Sequence, residues 1–273
     1  MIGMVLGDYE LIELIGTGGM ARVFKAKHTE TGELVAVKTL PEEFYGDVTF
    51  EVRFKREAEA ISRLTHPNIL PLITYGETDN ISYIVLPLMT HGTLYDVLKN
   101  GKLPYEECLR LLTQLGSAID HAHAHQIIHR DLKPANVMFD ENNDFQLTDF
   151  GIAKLIEDTS VDITGSAVIG TWHYMSPEQS MGEKDITPQT DIYALGIILH
   201  EMLTGRTPFH DNSPSKIIYR HMTMSLSLAD DLDESLTPEV KFVILKALAR
   251  IPRQRHRSGM SMVRALKRAF EGK

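Results

Sequence analysis

The sequence is poor in cysteine and has no long run of apolar residues. One cysteine, Cys108, stands among 273 residues, so no disulfide forms within the chain, and the helical pattern around Cys108 indicates a reduced, buried thiol. No stretch of about eighteen consecutive apolar residues occurs, which predicts no transmembrane segment in this sequence. The first residues lack a basic segment followed by a full apolar core, so they predict no signal peptide.

Positive charge is also scarce. The 28 lysines and arginines are outnumbered by 37 aspartates and glutamates, and the formal net charge at pH 7 is -9. Surfaces that bind nucleic acids concentrate lysine and arginine against the phosphate backbone, so this balance argues against a nucleic-acid partner. Hydrophobic residues make up 43% of the chain, which is enough for a sizeable core in one domain of two lobes or in two small domains.

The pattern of apolar residues divides the chain into two parts. Strand patterns dominate the first third, at residues 9–15, 22–26, 34–40 and 81–88, and one helical pattern at 50–64 interrupts them. Helical patterns dominate the remainder, at 105–125, 187–203, 214–222, 238–249 and 260–270. We therefore predict an α+β fold of two lobes joined near residues 87–92, with a cleft between the lobes where ligands bind.

A glycine-rich turn separates the first two predicted strands. Gly16 and Gly18 remove side chains where a hairpin must lie close over a phosphate, and their backbone N–H groups are suited to bind it. Val23 lies just beyond the turn, and its apolar side chain is suited to pack on an adenine ring. Ordinary hairpins use glycine too, so this turn alone does not distinguish a phosphate site from a simple connection.

Lys38 and Glu57 form a second candidate feature. Lys38 lies in a strand of small apolar residues, where a cation needs an anion, although a strand lysine can also extend its ammonium group to solvent. In the helical pattern at 50–64, Glu57 falls on the apolar stripe whereas Glu59 points to the opposite, solvated side. A carboxylate on the buried stripe needs a partner more than a solvated one does. Lys38 is one candidate partner of Glu57, and the neighbouring Lys55 and Arg53 on the helix surface are the alternatives.

The segment His-Arg-Asp-Leu-Lys-Pro-Ala-Asn at 129–136 is the most informative in the chain. Asp131 and Asn136 flank Lys133 within one short loop, and Asp-Phe-Gly follows at 149–151. A polar surface turn is the simplest interpretation. Strongly apolar segments precede and follow the loop, however, which favours a charged turn that lines a site.

These motifs stand in the order found in protein kinases. The glycine-rich turn, the Val-Ala-Val-Lys strand ending at Lys38, the loop at 129–136 and Asp-Phe-Gly together resemble the catalytic parts of that family over nearly the whole chain. The resemblance implies a bilobal fold, with a small β-rich N-lobe at 1–86, a hinge at 87–92 and a larger helical C-lobe at 93–273. Gly170-Thr171 and the segment 174–179 resemble in particular the eukaryotic-like (Hanks-type) Ser/Thr kinases of bacterial receptors.

The resemblance also implies a role for each candidate residue. Asp131 would accept or orient the substrate hydroxyl, and Lys133 would contact the γ-phosphate. Lys38, paired with Glu57 in the active state, would hold the α- and β-phosphates of ATP. The ATP site as a whole would be formed by Ile15, Gly16, Thr17, Gly18, Gly19, Val23, Ala36, Lys38, Leu86, Leu88, Met89, Asn136 and Asp149.

A metal ion is part of the same expectation. Asn136 and Asp149 would ligate Mg²⁺, with Mn²⁺ as an alternative, because hard cations that share their coordination with phosphates prefer oxygen ligands.

Three further residues resemble the structural frame of kinases. Glu178, in Ser-Pro-Glu, would pair with Arg255, and Asp191 would anchor the backbone of the loop that carries Asp131. A second set matches the apolar spine that links the lobes in active kinases, although ordinary core packing is an equal interpretation; its members are Ile61, Leu72, His129 and Phe150.

The polar segment 152–171 is long enough to be an activation segment. Arg130 precedes Asp131, the arrangement of kinases that are switched by phosphorylation of this segment, and Thr164 and Ser166 are the candidate phosphosites. The resemblance implies protein substrates, autophosphorylation between two molecules and a homodimer for that reaction. It further implies a cytoplasmic location, as the cytosolic domain of a membrane-anchored kinase.

Departures from the family pattern leave two alternatives to consider. Ala21 replaces the third glycine of the turn, and Pro87 removes a backbone donor next to the expected adenine site. A pseudokinase that acts as a binding or scaffolding module usually lacks the lysine, the catalytic aspartate or the metal aspartate, and this chain retains all of them. For a small-molecule kinase of related fold, the Lys133-Pro134 pair and Ser-Pro-Glu are atypical, since they favour a protein substrate.

Overall fold

The first third of the chain folds as an antiparallel sheet in the computed structural model, which describes residues 1–18, 21–40, 45–46, 48–142, 144–150, 171–209, 211, 213–223 and 232–271. The strands of the sheet are β1 (Val5–Leu6), β2 (Tyr9–Gly18), β3 (Ala21–His28), β4 (Leu34–Thr39), β5 (Thr74–Thr78) and β6 (Ile81–Pro87). They pair in the order β1-β2-β3-β4-β6-β5. Two irregularities interrupt the pairing of β2 with β3, between Leu11 and Glu13 and between Leu14 and Gly16.

The two faces of this sheet pack against different neighbours, because successive side chains of a strand point to opposite faces. One face forms an apolar cluster within the N-terminal lobe, whose buried members are Leu6, Tyr9, Leu11, Phe24, Ala26, Val35, Val37, Ile81, Tyr83 and Val85. On the other face, Leu40 and Ile84 pack against Phe54 and Ala58 of helix α1 (Val48–Ile61). Helix α1 therefore covers the sheet face that also carries Lys38.

The larger lobe is built from helices and one small sheet. Its helices are α2 (Leu94–Leu98), α3 (Tyr105–Ala124), α4 (Pro177–Ser180), α5 (Gln189–Thr204), α6 (Pro214–Thr223), α7 (Pro238–Ala247) and α8 (Gly259–Glu271). Strands β7 (Val137–Phe139) and β8 (Phe145–Leu147) pair as a separate two-stranded sheet. Helix α5 is buried on nearly every side, as its almost continuous apolar sequence predicts.

Helix α8 is fixed to α3 at its first turn. The backbone N–H groups of Gly259 and Met260 donate to the Asp120 carboxylate at 2.7 and 3.0 Å, which satisfies two donors at the start of the helix. A Cβ at Gly259 would lie 2.5 Å from the Cα of Gly116, so these two glycines permit the close approach of the helices. The C-terminal helix is thus joined to the core that supports the site.

The α+β class and the two lobes are confirmed, and the main elements lie where the periodicity predicts them. The shortest elements, β1, β5, β7, β8 and α2, were not predicted. Their two to five residues show too little periodicity to be distinguished from loops. Within the described ranges, the membrane-length apolar helix that a bilayer crossing would need is absent.

Candidate active site

One face of the N-terminal sheet presents several of the predicted nucleotide-binding residues together. The strand register pairs Gly16 with Val23, Val23 with Lys38, and Ala36 with Leu86. Directly paired residues share a face, and so do residues two positions apart on a strand. All five therefore lie on the face opposite the apolar cluster of the sheet, which is the face toward the second lobe.

The glycine-rich turn is described on both of its arms. Ile15 lies at the second irregularity of the β2–β3 pairing and is about half exposed, while Thr17 and Gly18 continue the pairing with β3. Gly19, the remaining predicted residue of the turn, lies outside the described residues.

The predicted hinge follows strand β6 directly. Pro87 is the last residue of that strand and is paired with Val35, and Leu88 and Met89 come next, both half-buried. These two residues therefore continue directly from the strand in which Leu86 pairs with Ala36.

Lys38 forms its ion pair with Asp149 across the two lobes. Its Nζ lies 2.8 Å from Asp149 Oδ1, and the two side chains are 12% and 28% exposed. Burial alone would raise the pKa of Asp149, but the charge and hydrogen bond of Lys38 hold that pKa below its ordinary value. The pairing with Glu57 that we expect of the active state stays a prediction.

The neighbouring Glu59 departs from expectation. We predicted that it faces solvent, and this is wrong: Glu59 is half-buried, and its Oε1 accepts a hydrogen bond from Tyr75 Oη at 3.4 Å. Tyr75 belongs to β5, a strand whose sequence pattern was too weak to predict, so the cover over this side of α1 could not be foreseen.

Residues predicted as an apolar spine lie near Asp149. Phe150 is buried, and the centroid of its ring is 4.6 Å from that of His129. Ile61, Leu72 and Phe150 line one small cavity that Asp149 also borders. The apolar contacts thus run from α1 through Phe150 to the loop that carries Asp131.

The loop at 129–136 gathers its functional groups around Asp131. Lys133 Nζ lies 2.7 Å from Asp131 Oδ2, and each of these side chains is 17% exposed. The Asn136 side chain is buried, and its Nδ2 donates to the Asp131 carbonyl at 2.8 Å and to Asp131 Oδ2 at 3.3 Å. Since the Nδ2 of Asn136 is committed to Asp131, its Oδ1 is the atom left to face a cation.

Asp191 anchors the backbone of this loop, as predicted. Its carboxylate accepts hydrogen bonds from the backbone N–H groups of His129 and Arg130, both at 2.9 Å, and it lies 2.7 Å from His123 Nε2. The side chain is 1% exposed. Burial alone would raise the pKa of Asp191, but the bonds from His123 and the loop backbone hold it below its ordinary value.

Two residues of the site have a left-handed backbone. Arg130 has φ +66° and Asp149 has φ +68°. This conformation costs a residue other than glycine about 1–3 kcal/mol and persists only where the surroundings impose it. Strain at both positions indicates that the fold fixes the residues beside Asp131 and at the start of Asp-Phe-Gly.

Glu178 and Arg255 form the predicted buried ion pair. Arg255 Nη1 and Nη2 lie 2.6 and 2.7 Å from the two carboxylate oxygens of Glu178, and Thr190 Oγ1 donates to the same carboxylate at 2.7 Å. The Arg255 guanidinium also stacks over the ring of Tyr193, 4.9 Å from its centroid. This pair joins α4 to the segment between α7 and α8, and Thr190 and the Gln189 carbonyl connect it to the start of α5.

Two polar contacts beside the site were not predicted. Gln179 Nε2 donates to the backbone carbonyl of Arg130 at 2.7 Å, and Tyr174 Oη donates to Glu201 Oε2 at 2.7 Å. Burial raises the pKa of Glu201, although the Tyr174 hydrogen bond opposes it. The sequence does contain a signal for Gln179, because Ser176 with glutamine three positions later is a capping box. No local signal exists for the pairing of Tyr174 with Glu201.

Comparison with known proteins places these features in a family. The protein kinase domain matches residues 9–268 of the chain. The Ser/Thr-protein kinase PrkC of Bacillus subtilis is 40% identical over 268 residues, which are 98% of this chain and 41% of that protein. The Ser/Thr-protein kinase PknB of Mycolicibacterium smegmatis is 37% identical over 270 residues, which are 97% of this chain and 43% of that protein.

A solved structure shows the same architecture. The kinase domain of Mycobacterium tuberculosis PknI, crystallised as a point mutant, matches with a TM-score of 0.72 at 24% identity and covers 99% of this chain and 98% of that chain. At this identity the match establishes the fold. The chain spans about two fifths of the length of the curated relatives, with shares of 41% and 38% in two of them. With its family match over nearly the whole length, the chain belongs to the protein kinase domain family.

Proposed function

We propose that this chain transfers the γ-phosphoryl group of ATP to serine and threonine hydroxyls of proteins, as a bacterial-type signalling kinase. One observation carries the proposal: Asp131, Lys133 and Asn136 form a single bonded cluster, while Lys38 and Asp149 are paired across the lobes. Phosphoryl transfer needs these groups, because catalysis consists of positioning and charge stabilisation. The named activities of the bacterial relatives support the same function.

In the proposed reaction, the substrate hydroxyl oxygen forms a bond to the γ-phosphorus while the bond from that phosphorus to the bridging oxygen of ADP breaks. Asp131 orients the hydroxyl and takes its proton. Lys133, which pairs with Asp131 at 2.7 Å, is close enough to turn toward the transferred group and balance its charge. Lys38 holds the α- and β-phosphates, and Glu57 positions Lys38 in the active state.

The residues fit a divalent cation. The Oδ1 of Asn136 and the second carboxylate oxygen of Asp149 are hard ligands of the kind that Mg²⁺ prefers, with Mn²⁺ as an alternative. When bound, the ion neutralises charge on the phosphate oxygens. The depressed pKa of Asp149 supports this assignment, because it keeps the carboxylate ionised.

The sheet face supports a position for the nucleotide base and a division of the chain into lobes. We place adenine against Val23, Ala36 and Leu86, with Ile15 above it and the backbone of Leu88 and Met89 at its edge. The phosphates lie under Gly16, Thr17, Gly18 and Gly19. This arrangement supports a division into an N-lobe at 1–86, a hinge at 87–92 and a C-lobe at 93–273.

The activation segment is the proposed switch. Thr164 and Ser166 lie outside the described residues, so the proposal for them depends on Arg130, whose guanidinium is suited to bind a phosphate dianion. The chain phosphorylates these residues in a second copy of itself, within a homodimer. The bacterial receptor kinases that the chain resembles carry this domain on the cytoplasmic side of a membrane, which supports a cytoplasmic location.

The experiment that tests the activity is direct. The purified chain is incubated with labelled ATP and Mg²⁺ and with a general protein substrate, and phosphate is located by mass spectrometry. Label on serine and threonine of the substrate, absent with an Asp131→Asn variant, is the expected result. ATP binding without any transfer would instead support a pseudokinase, and label on small metabolites alone would support a small-molecule kinase.

The switch has its own test. Phosphate mapping of the wild type should find Thr164 or Ser166 modified, with activity rising as the label accumulates. A double variant, Thr164→Ala with Ser166→Ala, should remain at the low starting activity. Activity of the double variant equal to that of the wild type would refute control by these two residues and leave the kinase function intact.

A further inference from the structure

The side-chain amide of Gln179 bridges two segments of the site. Its Oε1 accepts hydrogen bonds from the backbone N–H and the hydroxyl of Ser176, at 3.1 and 3.2 Å, and its Nε2 donates to the Arg130 carbonyl at 2.7 Å. Only this orientation of the amide satisfies all three contacts, since the opposite one would set an acceptor against the carbonyl of Arg130. Gln179 therefore joins the segment before α4 to the loop that carries Asp131.

The bond to Arg130 reaches a strained point of that loop. Arg130 has a left-handed backbone, with its N–H bonded to Asp191 Oδ1 at 2.9 Å and its carbonyl bonded to Gln179. A conformation of this kind persists only where the surroundings impose it. Asp191 and Gln179 thus hold Arg130 from both of its backbone polar groups.

The same peptide unit leads directly into the proposed catalytic residue. The N–H of Asp131 donates to His129 Nδ1 at 3.3 Å, so both polar atoms of the Arg130–Asp131 peptide have a partner, and Gln179 is the partner of its oxygen. Gln179, Arg130 and Asp131 also line one small cavity with Tyr174 and Met175. Rotation of this peptide would turn the Asp131 carboxylate away from its present direction.

Capping of α4 does not account for the whole contact. The capping box uses the Gln179 backbone N–H, which reaches Ser176 Oγ at 3.4 Å, and the Oε1 of the side chain, which accepts from the Ser176 N–H. The Nε2 takes no part in the cap, and its bond to Arg130 spans 49 positions of sequence. This second, long-range bond is the feature that a local cap would not require.

We propose that Gln179 is a positioning residue for phosphoryl transfer, which aligns Asp131 by fixing the peptide between Arg130 and Asp131. The inference rests on the proposed kinase function and deepens it. Among the described residues, the side-chain hydrogen bonds of Gln179 go to Ser176 and Arg130, so we expect it to act on the rate of transfer and not on the affinity for ATP. It also makes the alignment of Asp131 depend on the segment 174–180.

The test is a change that removes the donor and keeps the cap. In Gln179→Glu, a carboxylate of the same size still accepts from Ser176 but opposes the carbonyl of Arg130. The expected kcat for a protein substrate falls by about 10- to 100-fold, on the scale of a catalytic group displaced by about 1 Å. The KM for ATP stays within about twofold of the wild type, and Tm stays within about 3 °C, because the effect is confined to one peptide.

Two matched variants separate positioning from structure. Gln179→Met removes the donor without adding a charge, and it should lower kcat to a similar extent while also lowering Tm through the lost cap. Ser176→Ala removes the hydroxyl partner of the cap and leaves the donor to Arg130 in place. It should lower Tm and keep kcat within about twofold of the wild type.

The outcomes are distinct. A Gln179→Glu kcat within twofold of an active wild type would overturn the inference and leave the kinase proposal standing, and so would an equal loss of kcat in Ser176→Ala. A rise in the KM for ATP at unchanged kcat would also overturn it. If Gln179→Glu does not fold, Gln179→Met decides by the same criteria. A wild type that transfers no phosphate would refute the proposed function, and the inference with it.

Discussion

The acids of this molecule fall into two groups that are held in different ways. Asp191 and Glu178 support the larger lobe with side chains that are 1% and 4% exposed, and each accepts several hydrogen bonds from backbone or arginine donors. Asp131 and Asp149 face the cleft, are 17% and 28% exposed, and each pairs with a lysine. The acids of the first group are fixed by their partners, whereas the more exposed acids of the second group can still bind a ligand in the cleft.

The choice of cation explains the difference. The guanidinium of Arg255 is a rigid fork that matches the two oxygens of Glu178, so this pair is specific and permanent. Lys38 and Lys133 present compact charges on flexible stems, which can turn from a carboxylate to a phosphate without rearrangement of the backbone. A kinase site needs both kinds of contact, since fixed acids hold the loop and exchangeable pairs admit the nucleotide. Four predictions test this distinction.

The largest effect should come from a substitution of Asp149, one of the two acids that face the cleft. Asp149→Asn removes one negative charge beside Lys38 and weakens the proposed metal site, so phosphoryl transfer should fall below detection. Because the side chain keeps its size in a partly exposed position, Tm should change by only a few degrees. Labelled-ATP transfer and thermal unfolding measure the two parts. A folded Asp149→Asn protein with activity near that of the wild type would remove the basis for the assignment of the site.

The acids that support the larger lobe should show the reverse, because loss of their partners should have a large effect on stability. Arg255→Met leaves Glu178 charged and buried without its cation, which should lower the free energy of unfolding by about 3–5 kcal/mol. A matched control is Lys267→Met, at the exposed end of α8, where the side chains of Lys267 and Glu271 are 64% and 62% exposed. That change should cost at most about 0.5 kcal/mol. Urea denaturation of both variants compares them, and equal losses would contradict the distinction.

These two groups also differ in how far the sequence could predict them. Glu178, Arg255 and Asp191 could be assigned as a frame because their positions relative to the motifs match those in kinases, and the structure confirms their contacts. The partner of Lys38 could not be predicted in the same way. Two carboxylates, Glu57 and Asp149, are candidate partners, and the contact with Asp149 joins residues 111 positions apart, which no local pattern predicts.

Residues outside known motifs were harder to predict for a physical reason. The hydrogen bond between Glu59 and Tyr75 involves a strand of five residues with too little periodicity to predict. The Gln179 cap was visible as a local pattern, but its bond to Arg130 requires two segments that meet only in the folded chain. Local patterns therefore predict caps and faces, and long-range partners require the structure.

The third prediction examines the exchange of Lys38 between its two carboxylates. Lys38→Met should lower kcat/KM by on the order of 100-fold or more, because it removes a cation from the proposed phosphate site. Glu57→Gln should lower it by about tenfold, through lost positioning of Lys38 in the active state. Glu59→Gln should be nearly silent, because a glutamine still accepts the Tyr75 hydrogen bond. Steady-state kinetics with a protein substrate measure all three.

Larger damage from Glu59→Gln than from Glu57→Gln would mean that the assignment of the helix face is wrong. An unchanged kcat/KM in Glu57→Gln would mean that Lys38 stays with Asp149 throughout the reaction.

The smallest effect concerns the pH dependence of stability in the larger lobe. His221, on α6, is 1% exposed, and its Nδ1 lies 2.7 Å from Tyr193 Oη on α5. Burial, with a smaller contribution from the nearby His173, lowers the pKa of His221 from 6.5 to about 4. The folded state therefore favours the neutral ring, whereas the unfolded chain binds a proton below pH 6.5. Stability should fall by at most about 1.4 kcal/mol for each unit that the pH drops from 6.5 toward 4, and level off below that.

His221→Gln keeps an acceptor for Tyr193 and does not titrate, so between pH 6.5 and 5 its denaturation midpoint should depend less on pH than that of the wild type. Identical slopes for the two proteins in this window would show that His221 is not a source of the acid sensitivity.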